Sequence, residues 1–344
     1  MTELSENPAK NALPAAAGAK QHVYYFDWLR LLAFVCVVLH HLFLQATSSR
    51  GYPLMAIPLT FARHINNAIF WCVTGYLMLS SEKTRDIKTF YKAKALRLLL
   101  PFVVWQLLYW FINIFIWKRD GAFSSVFVSI SAYHLWFLQY LIALSIFAPF
   151  VKRIIDDAST RALVLLLAVC VIMRLLPNDL RRLYPRFVLL FNLDFLSEWF
   201  VYILLGYLLA KCSIGKKLTA VIYAAGSCAA AALLIIYFIQ RNAESLPETP
   251  IWMDRINVIV LALASAIVLF AKNHLNIKCA PIKLLAELSF GGYLIHVFFL
   301  DLWKQLWGAP FGTVTAYFRL GLTVVCSLAV VFVIRRIKYL RAIC

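Results

Sequence analysis

The stretch "FDWLRLLAFVCVVLHH", residues 26–41, decides the fold class, because it is apolar enough to cross a bilayer yet contains one arginine and two histidines. A transmembrane helix needs about 20 apolar residues to span the hydrocarbon core. A charged side chain near the middle of such a helix costs roughly 2.5 to 3.5 kcal/mol on insertion scales, so Arg30 requires a partner or a function. The sequence predicts a transmembrane helix with polar groups along it.

The composition of the whole chain places it among integral membrane proteins. Of its 344 residues, 63% are hydrophobic and 15% are charged, and the mean hydropathy is +0.79. Soluble domains are about 45 to 50% apolar and about 25% charged. We therefore predict an all-α, polytopic membrane bundle of about ten transmembrane helices. The predicted spans are residues 24–46, 64–80, 98–117, 134–151, 162–177, 187–210, 218–239, 252–271, 282–303 and 315–335.

The chain is predicted to form one membrane domain with short polar ends. Residues 1–22 are expected to be a disordered cytoplasmic tail, residues 23–338 the transmembrane domain, and residues 339–344 a cytoplasmic C-terminal end. The eight cysteines are scattered, mostly within apolar runs, and their spacing predicts no metal site. We interpret them as small core residues.

The distribution of lysine and arginine predicts the orientation in the membrane. With the ten spans above, 21 of these residues fall on one side and 11 on the other. By the positive-inside rule the richer side, with both termini and the connection 81–97, is cytoplasmic. The formal charge of +18 is then explained by topology and by contacts with lipid headgroups, and nucleic acid is not an expected partner.

Arg30 and His41 lie on one face of the first predicted helix, because eleven residues correspond to about three helical turns. They are separated by roughly 16 Å along the axis, Arg30 toward the cytoplasm and His41 toward the outside. Asp27 precedes Arg30 by three residues and can support it through an ion pair. His40 points away from this face. The alternative is an interfacial ion pair at Arg30 and a structural, hydrogen-bonded histidine at position 41.

An arginine followed after ten residues by a histidine, here Arg30 and His41, resembles the signature that opens the membrane acyltransferase 3 family. The resemblance covers essentially residues 24–335, although Thr74 stands where the family usually has serine. The chain is most similar to the small O-acetyltransferases of bacterial surface polysaccharides, including that of enterobacterial common antigen. The other matching stretches are "FWCVTGYLML" (70–79), "FYKAKALRLLLP" (90–101), "YHLWFL" (133–138), "YILLGYLLA" (202–210) and "LSFGGYLIH" (288–296).

The resemblance implies an acetyl-CoA-dependent O-acyltransferase of the bacterial inner membrane. Its co-substrate is a cytoplasmic acyl-CoA, with acetyl as the expected group and succinyl as an open alternative, and no cofactor is bound permanently. Its acceptor is a hydroxyl of a cell-surface or lipid-linked glycan. The identity of that glycan stays open.

Acyl transfer from such a donor defines two kinds of residue. Binding the phosphates of acyl-CoA requires cations at the cytoplasmic mouth, and Lys94, Arg97 and Arg30 are the predicted donor-binding residues. Attack on the thioester requires a base, and a neutral imidazole with an unperturbed pKa of about 6.5 is suitable. His41 is the predicted base. The resemblance implies the same role, either as a general base or through a transient acyl-histidine.

Two carboxylates on the sixth predicted span are further catalytic candidates. Asp194 and Glu198 are four residues apart and share one helical face. Either could orient the imidazole of His41 or balance the charge of Arg30. The alternative is structural hydrogen bonding, although carboxylates inside spans are rare.

Polar and aromatic residues near the level of His41 are candidates for acceptor binding or support. His134 and Trp136 open the fourth span and provide either a stacking platform for a sugar or part of an aromatic belt. Asn67 is a weaker candidate for acceptor contact. Tyr293 and His296, three residues apart on the ninth span, are predicted to be structural.

The alternative function is a secondary transporter or exporter of an anionic or glycan substrate. Transporters often contain internal repeats and paired spans broken by glycine or proline. This chain shows no repeat, and its 12 glycines and 12 prolines lie mainly at ends and in loops. A sensor or scaffold without chemistry would need no intramembrane arginine and histidine on one face. The sequence therefore favours the acyltransferase.

Overall fold

A computed structural model describes residues 22–44, 53–119, 123, 126, 129–184, 198–242, 257–309 and 312–344. Helices dominate these residues, and no strand occurs among them. The helices are α1 (Tyr25–Leu44), α2 (Pro53–Leu79), α3 (Ile87–Lys94), α4 (Leu100–Phe111), α5 (Trp136–Asp157), α6 (Thr160–Cys170), α7 (Leu176–Leu183), α8 (Glu198–Lys211), α9 (Lys216–Asn242), α10 (Val258–His274), α11 (Ala280–Trp307) and α12 (Gly312–Arg336).

Short helical turns extend or connect several of these helices. Three of them are π-helical: Ala95–Leu99 joins α3 to α4, Ile112–Ile116 extends α4, and Val171–Leu175 joins α6 to α7. Isolated π turns occur frequently at functional sites. The remaining turns are 3₁₀ helices at Glu82–Thr84, Tyr133–Leu135 and Arg341–Ile343.

The predicted all-α membrane class is confirmed for the part of the chain that the structure describes. Seven helical segments there are long and apolar enough to cross a membrane, and α10 is a shorter apolar helix. The predicted count of ten is not confirmed. The sixth predicted span falls partly on residues 185–197, outside the described ranges, and the 14-residue helix α8 covers only the second half of that span. The seven segments are Tyr25–Phe43, Ile87–Ile116, Tyr133–Asp157, Thr160–Leu180, Lys216–Ile239, Ala280–Trp307 and Gly312–Arg336.

The second helix begins much earlier than the sequence predicts. The predicted span starts at residue 64, whereas α2 starts at Pro53 and has Pro58 in its interior. The reason is that polar side chains such as Asn66 and Asn67 are buried inside the bundle. On sequence alone these residues look like a membrane boundary.

The backbones of α2 and α8 come into direct contact at two glycines. A Cβ atom on Gly75 would lie 2.0 Å from the carbonyl oxygen of Ile203, and one on Gly206 would lie 2.1 Å from the carbonyl oxygen of Cys72. Small residues allow such backbone contact between membrane helices. The Gly-Tyr pairs in two separate sequence motifs, "VTGYLM" and "ILLGYL", thus pack against each other.

The lysine- and arginine-rich connections gather at one end of the bundle. Tyr24 donates its backbone N–H to the side-chain oxygen of Asn276 at 3.0 Å, which brings the start of α1 to the end of α10. Arg85 donates to Asp156 at 2.7 Å, which joins the end of α2 to the end of α5. We call this region the basic end, comprising residues 22–30, 81–97, 152–161, 211–217, 272–287 and 335–344.

A helix cap stabilises the basic end outside the spanning segments. The Asp86 side chain accepts the backbone N–H of Thr89 at 3.2 Å, at the start of α3. Hydrogen bonds from Thr89, chiefly that of its side chain, lower the pKa of Asp86. The first turn of α3 therefore has a satisfied backbone donor and a carboxylate suited to its positive dipole end.

Candidate active site

Three histidines from different helices meet at the opposite end of the bundle. His41 of α1 and His296 of α11 stack with ring centroids 5.0 Å apart and an interplanar angle of 11°. His134, just before α5, places its ring edge-on to His296 at 5.1 Å. All three side chains are buried. We call this region the histidine end, comprising residues 38–44, 109–119, 129–137 and 293–307.

The hydrogen bonds of this cluster define the tautomer of His41. Nδ1 of His296 lies 2.6 Å from the carbonyl oxygen of Tyr293, which only accepts, so this nitrogen carries a hydrogen. Nε2 of neutral His296 is then an acceptor, and Nδ1 of His41, 2.7 Å away, donates to it. Neutral His41 is left with its lone pair on Nε2. This is the form in which an imidazole can accept a proton from a hydroxyl.

The backbone of α11 is adapted to hold the cluster. The Tyr109 hydroxyl of α4 donates to the carbonyl oxygen of Leu294 at 2.8 Å and accepts the backbone N–H of Phe298 at 3.3 Å. These two backbone groups would bond to each other in an uninterrupted α-helix. Nε2–H of His134 also donates to the Leu294 carbonyl, at 3.2 Å. The Tyr293 hydroxyl completes the network by donating to the carbonyl oxygen of His134.

Comparison with known protein families identifies the family of the chain. Residues 23–336 match the family model described as an acyltransferase domain, the acyltransferase 3 family. The chain belongs to the acyltransferase 3 family. Comparison with curated proteins and with solved structures found no match. The predicted family is confirmed by this match over nearly the whole chain, and the family implies acyltransferase activity.

The arginine of the acyltransferase signature lies at the other end of the same interface. Arg30 of α1 is 3.9 Å from Asp27, and its side chain is 30% exposed. The exposed Glu287 of α11 is close enough to interact electrostatically with Arg30. Asp27 is also bonded to His22 at 2.5 Å. Arg30 and His41 of α1 are therefore each adjacent to a polar residue of α11, one pair at each end.

The other two predicted donor-binding residues lie on the α3–α4 helix at the basic end. Lys94 is half-buried, with its ammonium 5.3 Å from the centre of the Phe90 ring. Arg97 is exposed, on the π turn that follows α3. The two cations are one turn apart, so both can face an anionic ligand.

Of the two predicted catalytic carboxylates, the structure describes one, Glu198. Glu198 lies 3.3 Å from the guanidinium of Arg174 and is bonded to the side chain of Asn178. Its described partners are therefore on α7 and the π turn before it, and it balances Arg174 instead of Arg30. Asp194 lies outside the described residues.

The predicted acceptor-binding residues occupy three different environments. His134 is 1% exposed and enclosed by aromatic rings, so it supports the imidazole cluster and offers no open face to a sugar. Trp136 is half-buried and packs 5.8 Å from Trp199. Asn67 is buried, and its backbone N–H bonds to the side chain of Asn66.

A cavity of about 320 Å³ opens next to the histidine cluster. Sequence reasoning missed it, because its polar residues come from the ends of separate spans and were counted only as topology signals. The residue before His134 gave a partial signal, since Tyr133 belongs to the "YHLWFL" motif. The lining residues are Tyr109, Asn113, Arg119, Ser131, Ala132, Tyr133, Val297, Asp301 and Lys304.

The hydrogen bonds of the histidine cluster are suited to proton transfer. Within the described ranges no group of three His, Cys, Asp or Glu side chains has metal-binding geometry. Both nitrogens of His296 are used in hydrogen bonds, one to His41 and one to Tyr293. The arrangement can fix one tautomer of His41 and delocalise the charge that the imidazole gains on protonation.

Proposed function

We propose that this protein transfers an acyl group, acetyl in the first instance, from acyl-CoA to a hydroxyl of a cell-surface or lipid-linked glycan, with His41 as general base. The observation that carries the proposal is the hydrogen-bond chain from His41 through His296 to the Tyr293 carbonyl, in a chain that belongs to an acyltransferase family. A base needs its proton-accepting nitrogen defined before the substrate arrives, and this chain supplies that condition.

The proposed reaction proceeds through addition to the thioester carbonyl. Nε2 of His41 takes the proton of the acceptor hydroxyl while its oxygen forms a bond to the carbonyl carbon. The tetrahedral intermediate then collapses, the carbon–sulfur bond breaks, and the coenzyme A thiolate receives the proton from the imidazolium. The products are the acyl ester and free coenzyme A. Throughout the cycle Nδ1–H of His41 remains donated to His296.

The proposed orientation places the basic end in the cytoplasm of a bacterium and the histidine end toward the outside of the inner membrane. The charge distribution supports it through the positive-inside rule. Arg30, Lys94 and Arg97 would then bind the phosphates of cytoplasmic acyl-CoA. The pantetheine arm would extend along the α1–α11 interface toward His41. A donor on one side and an acceptor on the other suit the small polysaccharide O-acetyltransferases that the sequence resembles.

The proposal is tested by comparing two neighbouring alanine variants. Because general-base catalysis contributes about 10² to 10⁴ in rate, His41→Ala should remove nearly all acyl transfer, while coenzyme A binding stays close to wild type. His40→Ala should retain at least half the activity. The measurement is transfer of radiolabelled acetyl groups from acetyl-CoA to surface polysaccharide in membranes with matched protein levels. Full activity in His41→Ala would refute the catalytic assignment.

A second experiment distinguishes direct transfer of the acyl group from a route through an acyl-histidine. Purified protein is incubated with labelled acetyl-CoA in the absence of acceptor, quenched and digested, and the peptide that contains His41 is examined by mass spectrometry. A direct mechanism predicts no acetyl mass increment on that peptide. An increment that the acceptor then discharges would establish the covalent route.

A further inference from the structure

The cavity beside the histidine cluster extends from the surface of the bundle to the ring of Tyr133, which contacts His41. Tyr133 lines it and contacts the His41 ring edge-on, with ring centroids 4.9 Å apart. Val297 follows His296 directly, and Tyr109 contacts the ring of His134 at 5.1 Å. A ligand in the cavity is therefore separated from the imidazole of His41 by a single tyrosine ring.

The polar side of the cavity is a strip of planar groups held in fixed positions. The guanidinium of Arg119 donates one N–H to the side-chain oxygen of Asn113 at 2.9 Å and another to the carboxylate of Asp301 at 3.1 Å. Asn113 in turn donates to the carbonyl oxygen of Ser131 at 2.7 Å. Paired planar groups of this kind can form hydrogen bonds with adjacent hydroxyls of a sugar. The ring of Tyr133 provides an apolar face on which a pyranose can pack.

The backbone next to Arg119 is in an unusual conformation that supports this placement. Lys118 has φ of +52°, in the left-handed region that non-glycine residues rarely adopt. It follows the π turn Ile112–Ile116, and the backbone N–H of Arg119 bonds to the carbonyl oxygen of Asn113 at 2.8 Å. Such conformations cost energy and cluster at functional sites. Here the turn directs Arg119 toward Asp301.

The described residues that line the cavity carry a net positive charge. Arg119 and Lys304 contribute two cations and Asp301 one carboxylate. Asp301 pairs with Arg119, and among the described residues no carboxylate lies within ion-pair distance of Lys304. A ligand that brought one anionic group would therefore neutralise the site. Its volume is at the lower limit of small-molecule pockets, so it fits the terminal part of a glycan.

We infer that this cavity is the acceptor site and that it selects an acidic saccharide. In the bound state the anionic oxygens of the sugar bind Lys304 and Arg119, and its ring packs on Tyr133. A later rotation of the tyrosine ring gives the hydroxyl to be acylated access to His41. This inference rests on the proposed function. The shared chemistry is a carboxylate or a phosphate on a sugar.

Binding is measured first, without any acyl donor, so that the result does not depend on catalysis. Purified full-length protein in detergent is titrated with uronate, sialate and phosphosugar oligosaccharides, each beside a neutral counterpart of the same length. We expect the acidic members to bind about tenfold more tightly than the neutral ones, since a hydrogen bond to a charged group contributes that order. The carboxylate and phosphate arms identify which anion is recognised.

Two variants of exposed lysines then assign the difference to the cavity. Lys304→Gln should abolish the preference for acidic over neutral saccharides, and Lys278→Gln, an equally exposed lysine at the basic end, should preserve it. Equal affinity for acidic and neutral saccharides in wild type, or an unchanged preference in Lys304→Gln, overturns the inference. If acidic saccharides bind with the expected preference but are never acetylated, the proposed function is wrong. The inference that the cavity binds acidic saccharides is then still supported.

Discussion

The two ends of the α1–α11 contact hold their polar residues in opposite ways. At the histidine end, His41 and His296 are 5% and 0% exposed and share a 2.7 Å hydrogen bond. At the basic end, the Arg30 side chain is 30% exposed and its ion pair with Asp27 is long, at 3.9 Å. A reacting group benefits from a fixed orientation, whereas cations that bind a flexible nucleotide benefit from freedom to adjust. The difference agrees with a base at one end and donor binding at the other.

At the histidine end, the largest loss of activity is expected when the acceptor of the His41 hydrogen bond, His296, is removed. His296→Ala should lower kcat about 100-fold with little change in KM for acyl-CoA, because a buried donor loses its partner and the tautomer of His41 is no longer fixed. His296→Gln should recover part of the loss, since its amide oxygen accepts a hydrogen bond. Steady-state kinetics in proteoliposomes measures both constants.

A control for the loss of any buried imidazole is available on α2. His64 bonds to the carbonyl oxygen of Thr60 on its own helix, at 2.6 Å. His64→Gln should leave kcat within about twofold of wild type, since a local bond of this kind contributes only about 1 kcal/mol to stability. An equal loss of kcat in His64→Gln and His296→Gln would reduce His296 to a packing residue.

The framework that carries both ends is tested at the glycine crossing. Gly206→Ala should destabilise the protein by about 1 to 3 kcal/mol, because the new Cβ meets the Cys72 backbone and forces α2 and α8 apart. Gly321→Ala, where the added Cβ meets no described atom within 4 Å beyond its own helix backbone and chain neighbours, should be neutral or slightly stabilising. Thermal unfolding of the purified variants decides between them. Matching transition temperatures for the two variants would contradict the close packing.

The smallest effects are expected at the basic end. Arg30→Ala should weaken coenzyme A binding about tenfold, and Arg30→Lys should restore part of it. Lys94→Ala and Arg97→Ala should each weaken binding about threefold. The loss in Arg97→Ala should diminish with added salt, because this guanidinium is exposed. Isothermal calorimetry gives the affinities. Wild-type affinity in all three alanine variants would leave these residues as topology signals.

Part of the site follows directly from helical geometry. The spacing of Arg30 and His41 predicts a shared face, and the structure brings polar residues of α11 to both positions. The apolar composition likewise predicts the all-α class. Both are local properties, since a helix has a fixed period and a membrane requires a fixed length.

The partners of these residues depend on packing between distant parts of the chain. His41 and His296 are 255 residues apart, and nothing in their local patterns identifies them as a pair. His296 was expected to be structural, but it bonds directly to the predicted base. Glu198 was expected to orient His41 or to balance Arg30. Its described partners are Arg174 and Asn178, which lie twenty to twenty-four residues earlier in the chain. The spacing of residues along a helix predicts which of them share a face, but it does not predict which other helix packs against that face.

The tyrosine ring between the cavity and His41 has a consequence for how economically the enzyme uses its donor. A thioester beside an imidazole is exposed to attack by water as well as by an alcohol, and water is always present. Tyr133 stands edge-on to His41, lines the cavity and is itself 45% exposed. We therefore expect little futile hydrolysis of acyl-CoA while the cavity is empty, and a coupling between glycan arrival and thioester cleavage that depends on one movable ring.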